Sequence, residues 1–157
     1  MGEHETFMRA AIQLAEAGVK TGVGGPFGAV VVKNGIIIGR GWNQVTSLND
    51  PTAHAEVMAI RDACSNLNSF QLDDCEIYTS CEPCPMCLGA IYWARPSKIY
   101  YACTHDDAAE AGFDDSFIYK EISIMPAYRK IQGIMLLQNE AKKVFEKWLQ
   151  KEDKVKY

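Results

Sequence analysis

The chain has 157 residues, which fits one folded domain, residues 1–157, around a single core of ordinary size. Hydrophobic residues make up 48% and charged residues 23%, a balance that excludes collagen-like and wholly disordered classes. The formal net charge of −4 argues against an obligate nucleic-acid binder, because such proteins normally carry a basic face.

Residues 1–6 are polar and acidic, without the charged and then apolar pattern of a signal peptide, and no apolar run is long enough to cross a membrane. We therefore expect a cytoplasmic protein. Three of the six cysteines cluster tightly, which favours reduced thiols that bind a metal over disulfides. The other three are expected to be small core residues: Cys64, Cys75 and Cys103.

Hydrophobic periodicity predicts alternating helices and strands. The pair Asn34-Gly35 between two β-branched runs is typical of a hairpin, because both turn residues tolerate a positive φ. Strands separated by helices after one hairpin indicate an α/β architecture, with a mixed sheet and helices on its faces. The predicted helices cover residues 5–20, 52–67, 83–93, 116–122 and 139–151. The predicted strands cover residues 27–32, 36–41, 76–79, 97–102 and 134–137. Residues 42–51 are expected to be irregular.

Two segments carry candidate metal ligands. His54, Cys84 and Cys87 could provide three ligands to one zinc ion, which leaves a fourth position open to water, as in catalytic zinc sites. We expect His54 and Glu56 in the first turn of their helix, and residues two apart do not share a helix face. Both approach one ion only if it lies beyond the helix end. The two cysteines lie three residues apart at the start of the next helix, whose positive end favours thiolates.

Glu56 is the candidate catalytic residue. Two thiolates neutralise the formal charge of zinc, so the attacking water still needs a protein base. The predicted reaction is attack on a ring carbon that bears an amino group, with Glu56 passing the proton to a ring nitrogen and then to the departing amine. The alternatives are a redox-active Cys-x-x-C and a zinc knuckle, for which Cys81 is the nearby candidate as fourth ligand.

The order His-x-Glu and then Pro-Cys-x-x-Cys matches the signature of zinc-dependent nucleobase deaminases. The chain resembles the cytidine deaminase-like superfamily and, within it, the bacterial guanine deaminases. The resemblance implies a three-layer α/β/α fold, one zinc ion per subunit, and hydrolysis of guanine to xanthine and ammonia. It also implies a homodimer in which residues 138–157 cross to the partner and close its active site. The motifs that carry it lie in residues 24–30, 50–57, 79–87 and 111–117.

Two polar residues are candidates for binding the substrate. Asn43 carries both a donor and an acceptor, enough to bind two atoms on a base edge, and in the family pattern an asparagine here binds the base. The alternative is a turn former after a strand. The resemblance places Asp115 at the leaving amine, with Asp114 as a helix cap; an acidic pair in such a loop is otherwise usually solvated or a cap.

Three aromatic residues are further candidates. Phe27 and Trp93 could stack on a planar base, and core packing is the alternative for both. Tyr157 is either a frayed terminus or, as the resemblance supports, a residue that docks at the active site. His4 and His105 have no partner at a ligand spacing and are expected at the surface.

Other functions stay open at this point. The enzyme could act on guanosine, cytosine or an adenosine in transfer RNA, or the chain could be a zinc-stabilised binding module without turnover. An RNA substrate predicts a basic tail, but residues 139–157 carry six lysines against four acidic residues, too slight an excess for strong phosphate binding. We therefore expect a small purine base as the partner, with no nucleic acid and no membrane.

Overall fold

The computed structural model describes residues 2–157, and the chain divides into two compact units, Met1–Asp115 and Ser116–Tyr157. The interpretation of residues 1–157 as one domain stays a prediction. The first unit contains, in order, α1 (Glu3–Thr21), β1 (Gly28–Lys33), β2 (Ile36–Trp42), α2 (Val45–Leu48), α3 (Ala55–Leu67), β3 (Cys75–Cys81), α4 (Pro85–Ala94), β4 (Lys98–Cys103) and α5 (His105–Glu110).

The sheet has four strands in the order β2-β1-β3-β4. Strand β1 is antiparallel to both β2 and β3, and β3 is parallel to β4, so the predicted mixed sheet is confirmed. The hairpin turn also follows the prediction, because Asn34 and Gly35 both have a positive φ, 51° and 74°. As a result, β1 begins at the end of the sheet where β2, β3 and β4 finish.

Alternate side chains of the sheet enter two separate cores. Val30 and Val32 pack with Phe7 of α1 on one face, whereas Ala29 and Val31 pack with α3 and α4 on the other. Helices therefore cover both faces of the sheet in the first unit, and the three-layer α/β/α fold is confirmed.

Helix α3 lies directly on β2 because two strand positions lack a side chain. A Cβ atom at Gly41 would lie 2.1 Å from the carbonyl oxygen of Ala55, and one at Gly39 would lie 2.6 Å from the carbonyl oxygen of Ala59. Such distances are well inside van der Waals contact. The close packing places the first residue of α3 beside the last residues of β2, at the end of the sheet where β3 also finishes.

The second unit contains α6 (Ser116–Ser123), a 3₁₀ turn (Pro126–Tyr128) and α7 (Gln138–Gln150). None of these described elements contains a buried residue. Apolar side chains recur along α7 and stay exposed in the single chain: Val144, Phe145, Trp148 and Leu149. A unit of this length cannot enclose a core of ordinary size.

Two expectations about elements are wrong, and one helix was not predicted. Helix α2 forms within residues 42–51, which were expected to be irregular, and α5 is an additional helix, held by a capping box between Thr104 and Asp107. Residues 134–137, expected to form a strand, lie outside any strand, and their side chains are exposed. Among residues 2–157, no helix combines the length and apolar character that a membrane-spanning segment requires.

Candidate active site

The three predicted zinc ligands meet at the end of the sheet where β3 finishes. Nδ1 of His54 lies 3.5 Å from Sγ of Cys84 and 3.5 Å from Sγ of Cys87, and the three atoms all lie within 4.8 Å of one another. Within residues 2–157, no other group of histidine, cysteine and acidic side chains has a geometry that could hold a metal ion. The structure thus brings together the three residues that the sequence singled out.

Helix starts position these ligands. His54 is the N-cap of α3 and Cys84 is the N-cap of α4, and both have an extended backbone, with ψ of 155° and 168°. Pro85 occupies the start of α4, where no backbone donor is needed. The expectation that His54 lies in the first turn of α3 is therefore wrong by one residue. Residues two apart in a helix point to different faces, but this rule applies only when both residues lie in the helix. Because His54 lies outside α3, it can face the same site as Glu56.

The donor set fits zinc. With a Zn–N distance of about 2.0 Å and a Zn–S distance of about 2.3 Å, tetrahedral angles place the nitrogen about 3.5 Å from each sulfur. The separations in this site are 3.5 Å. Imidazole and thiolate are ligands that zinc prefers, and three protein ligands are the usual number in a catalytic site.

One of the two thiols of the site ionises readily. The hydrogen bond with Cys87 lowers the pKa of Cys84 to about 4. The pKa of Cys87 is raised instead, because its hydrogen bond with Cys84 and its burial both disfavour a second thiolate. The hydrogen bond with Cys84 raises the pKa of His54. We assign both sulfurs as thiolates when a metal ion is bound, because zinc requires deprotonated ligands.

Glu56 is a buried carboxyl beside this group, with only 6% of its surface exposed. The Thr79 hydroxyl lies 3.2 Å from Oε1 of Glu56 and 3.0 Å from the carbonyl oxygen of Cys81, and its single proton can be donated to either. Burial raises the pKa of Glu56, and a hydrogen bond with Cys87 opposes that rise. The carboxyl is thus fixed next to the ligands without being one of them.

The remaining cysteines do not extend the metal group. Cys81 is buried and donates to the carbonyl oxygen of Thr104 at 3.5 Å, and burial raises its pKa to about 11. It lies outside the group of metal-binding side chains within residues 2–157, which argues against the four-ligand knuckle. Cys75 is buried and Cys64 half-buried, as expected. Cys103 is exposed, so its expected core position is wrong, because β4 is the edge strand.

The side chain of Asn43 stabilises the backbone around it through two hydrogen bonds. It is 7% exposed, and its Oδ1 accepts from the backbone N–H groups of Gly25, at 3.1 Å, and Val45, at 3.2 Å. The alternative interpretation of Asn43, a turn former after a strand, is therefore confirmed as one of its roles. Because both lone pairs of Oδ1 are used, the amide N–H groups are what the side chain has left to offer a ligand.

Asp115 is connected to the cysteine-bearing loop through a histidine. Oδ2 of Asp115 lies 3.3 Å from Nδ1 of His105, and Nε2 of the same ring lies 3.3 Å from Oε1 of Glu82. His105 was expected at the surface, and the structure leaves it half-buried between these two acids. No local pattern in the sequence predicts these two contacts, since Glu82 and Asp115 lie 23 residues before and 10 residues after the histidine.

The aromatic candidates differ in their surroundings. Phe27 is half-buried against the core and makes an edge-to-face contact with Phe113, with ring centroids 5.0 Å apart. Trp93, near the end of α4, is 64% exposed, so the core-packing alternative for it is wrong. Tyr157 belongs to the second unit and is 68% exposed. His4 is exposed, as expected, and its Nδ1 lies 2.6 Å from the hydroxyl of the buried Tyr78. The stacking and docking roles stay predictions.

The chain is similar to known proteins over two different lengths. The model of the cytidine and deoxycytidylate deaminase zinc-binding region matches residues 1–103. A tRNA-specific adenosine deaminase of Aquifex aeolicus (strain VF5) is 42% identical over 98 residues, which cover 62% of this chain and 64% of that protein. Each of these two matches leaves more than a third of the chain uncovered.

A second kind of match covers nearly the whole chain. Guanine deaminase of Bacillus subtilis (strain 168) is 59% identical over 154 residues, which are 98% of this chain and 99% of that protein. An X-ray structure of guanine deaminase from Bacillus subtilis superimposes with a TM-score of 0.96 at 58% identity, covering 100% of this chain and 99% of that chain. The likeness therefore includes the C-terminal unit.

Proposed function

The chain belongs to the cytidine and deoxycytidylate deaminase zinc-binding family, and we infer that it is a zinc-dependent guanine deaminase, which hydrolyses guanine to xanthine and ammonia. The reaction class rests on His54, Cys84 and Cys87, which meet beside the buried Glu56. The choice of guanine rests on one observation: the likeness to guanine deaminase continues through the C-terminal third of the chain, where the family model no longer matches.

A bound zinc ion supplies Lewis acidity, which lowers the pKa of water and makes it a nucleophile at neutral pH. His54, Cys84 and Cys87 would hold the ion. Glu56 takes a proton from the attacking water and delivers it to the ring nitrogen next to the amino-bearing carbon. Glu56 then takes the remaining proton from the hydroxyl on the attacked carbon and gives it to the amine, so that the C–N bond breaks and ammonia leaves rather than amide ion. A buried carboxyl suits this work, because burial favours the protonated form that it must adopt between the two transfers.

Other residues of the same unit would hold the base. The amide N–H groups of Asn43 can donate to an acceptor on the purine edge, because its oxygen is already used by the backbone. Asp115, as a carboxylate, can accept from the amine of the substrate. Phe27 offers a ring for stacking, and the exposed ring of Trp93 is a further candidate.

We also propose that the active enzyme is a homodimer in which residues 138–157 close the partner's active site with Tyr157. Support comes from the second unit itself. It has no buried residue in its helices, and the apolar side chains of α7 are exposed in the single chain. A large exposed apolar face usually marks a surface that binds another protein. In a homodimer, each subunit can bury the apolar face of its partner's α7.

Replacement of Glu56 by Gln distinguishes the enzyme from a zinc-binding module without turnover. The amide keeps the size of the side chain but cannot take a proton, so we expect ammonia release from guanine to fall by about 100-fold or more. The zinc content should stay at that of the wild type, because Glu56 is not among the grouped ligands. Metal analysis and an ammonia assay on the same sample measure both. Unchanged activity in Glu56→Gln would contradict the catalytic role.

A further inference from the structure

One polar contact near the proposed site has no role in the reaction as described above. The imidazole of His105 lies between two carboxylates, with Nδ1 at 3.3 Å from Asp115 and Nε2 at 3.3 Å from Glu82. About a third of the surface of the His105 and Glu82 side chains is exposed, and only 17% of that of Asp115. The ring thus joins an acid in the loop after α5 to an acid in the loop that carries Cys84.

The backbone fixes this arrangement on the side of Glu82. The N–H of Glu82 donates to the carbonyl oxygen of Cys103 at 2.9 Å, and Oε2 of Glu82 lies 3.4 Å from the N–H of His105. The capping box of Thr104 and Asp107 holds the first turn of α5, which begins at His105. Asp115 lies in the segment after α5, in which Gly112 adopts a φ of 93°, and it directly precedes α6. The backbone thus fixes His105 relative to Glu82, and the ring of His105 contacts the Asp115 carboxylate.

We propose that His105 is a positioning residue for guanine deamination, which holds the carboxylate of Asp115 in the orientation that accepts from the substrate's amine. The inference rests on the proposed role of Asp115. Carboxylates only accept hydrogen bonds, so a proton on Nδ1 serves Asp115 and a proton on Nε2 serves Glu82. The contact that matters for the substrate is the one made by Nδ1.

The two ring nitrogens can be replaced separately. The amide nitrogen of an asparagine occupies about the position of Nδ1, and that of a glutamine about the position of Nε2. His105→Asn should keep the contact with Asp115, whereas His105→Gln should keep only the contact with Glu82. We expect kcat/KM for guanine to fall roughly tenfold or more in His105→Ala and His105→Gln, since small misplacements of a contacting group cost that much. His105→Asn should retain most of the wild-type value.

The experiment measures kcat/KM, zinc content and melting temperature for these three variants. Asp106→Asn is the matched control, because it removes an exposed charge from the next residue of α5 and should leave kcat/KM unchanged. Each His105 variant is also measured in an Asp115→Ala background. If His105 acts through Asp115, the loss caused by His105→Ala should nearly disappear there.

Several results would overturn the positioning role: wild-type kcat/KM in His105→Ala, equal values in His105→Asn and His105→Gln, or an undiminished loss in the Asp115→Ala background. Loss of zinc in the variants would do the same, because it would show that His105 acts on the cysteine-bearing loop. The wild-type assay separates this inference from the proposed function. If the wild-type holoenzyme releases no ammonia from guanine, the proposed function fails whatever the variants do.

Discussion

Asn43 shows how one side chain can serve the fold and the substrate with different atoms. Its Oδ1 joins the loop before β1, through Gly25, to the start of α2, through Val45. Its amide N–H groups make no hydrogen bond with the protein within residues 2–157. The loop contacts require the oxygen and the substrate requires the nitrogen, so the two roles can be separated by substitution.

Two substitutions at Asn43 should therefore differ. Asn43→Asp keeps an acceptor for both backbone N–H groups but removes the donors, so activity on guanine should be lost while the fold is largely kept. Asn43→Ala also removes both hydrogen bonds and should lower the free energy of unfolding by about 1–3 kcal/mol. Urea unfolding and steady-state kinetics on both variants measure the two effects. Equal loss of stability in both, or full activity in Asn43→Asp, would contradict this division.

The metal ligands could be predicted from the sequence because their spacing is local. His54 precedes Glu56 by two residues, and Cys84 precedes Cys87 by three, so each pair is fixed by the start of one helix. The contacts of His105 could not be predicted, since they depend on where α5 and two loops come to lie. The same holds for the Oδ1 of Asn43, whose partner Gly25 is 18 residues away.

At the scale of elements, amphipathic α7 is the helix whose partner the single chain does not show. Four of its apolar side chains are exposed, although their helical spacing is that of a buried face. Tyr157 follows seven residues after the end of α7. Exchange of this segment between two copies would cover the face and bring a tyrosine to the partner's site.

Complementation between two inactive variants tests this exchange. Deletion of Val155 to Tyr157 should strongly reduce activity with zinc retained. Glu56→Gln should be inactive for a different reason, the loss of the proton-transferring carboxyl. A mixed dimer has one site with an intact Glu56 that the intact tail of the other subunit can close. Refolding an equal mixture should therefore restore about a quarter of the wild-type activity, if subunits pair at random.

Each variant refolded alone is the control for that mixture. Activity of the mixture no greater than that of the two controls would rule out closure by the partner's tail. So would full activity of the truncated protein.

Long periodic elements were predictable from the sequence and short ones were not. The helix at residues 5–20 and the hairpin at Asn34-Gly35 are present as predicted, because each satisfies a strong local preference. Helices α2 and α5, of four and six residues, are too short to show a period. The predicted strand at residues 134–137 is absent from the sheet of the single chain, since an apolar run specifies burial but not a pairing partner.

At the scale of the whole molecule, the sheet gathers the catalytic group, and the likeness to guanine deaminase extends through the C-terminal third of the chain. The end of the sheet where β2, β3 and β4 finish collects Asn43, the ligand-bearing helix starts and Glu56. The tRNA-specific adenosine deaminase of Aquifex aeolicus matches 62% of the chain. The acidic net charge, −4, also favours a small base over RNA.

The most direct test of this account is ammonia release by the zinc-loaded wild-type protein from guanine, guanosine, adenine, cytosine and cytidine under one set of conditions. We predict that guanine is the preferred substrate, with xanthine formed in equal amount to ammonia. Hydrolysis of another compound in the set without hydrolysis of guanine would contradict the assignment of the substrate.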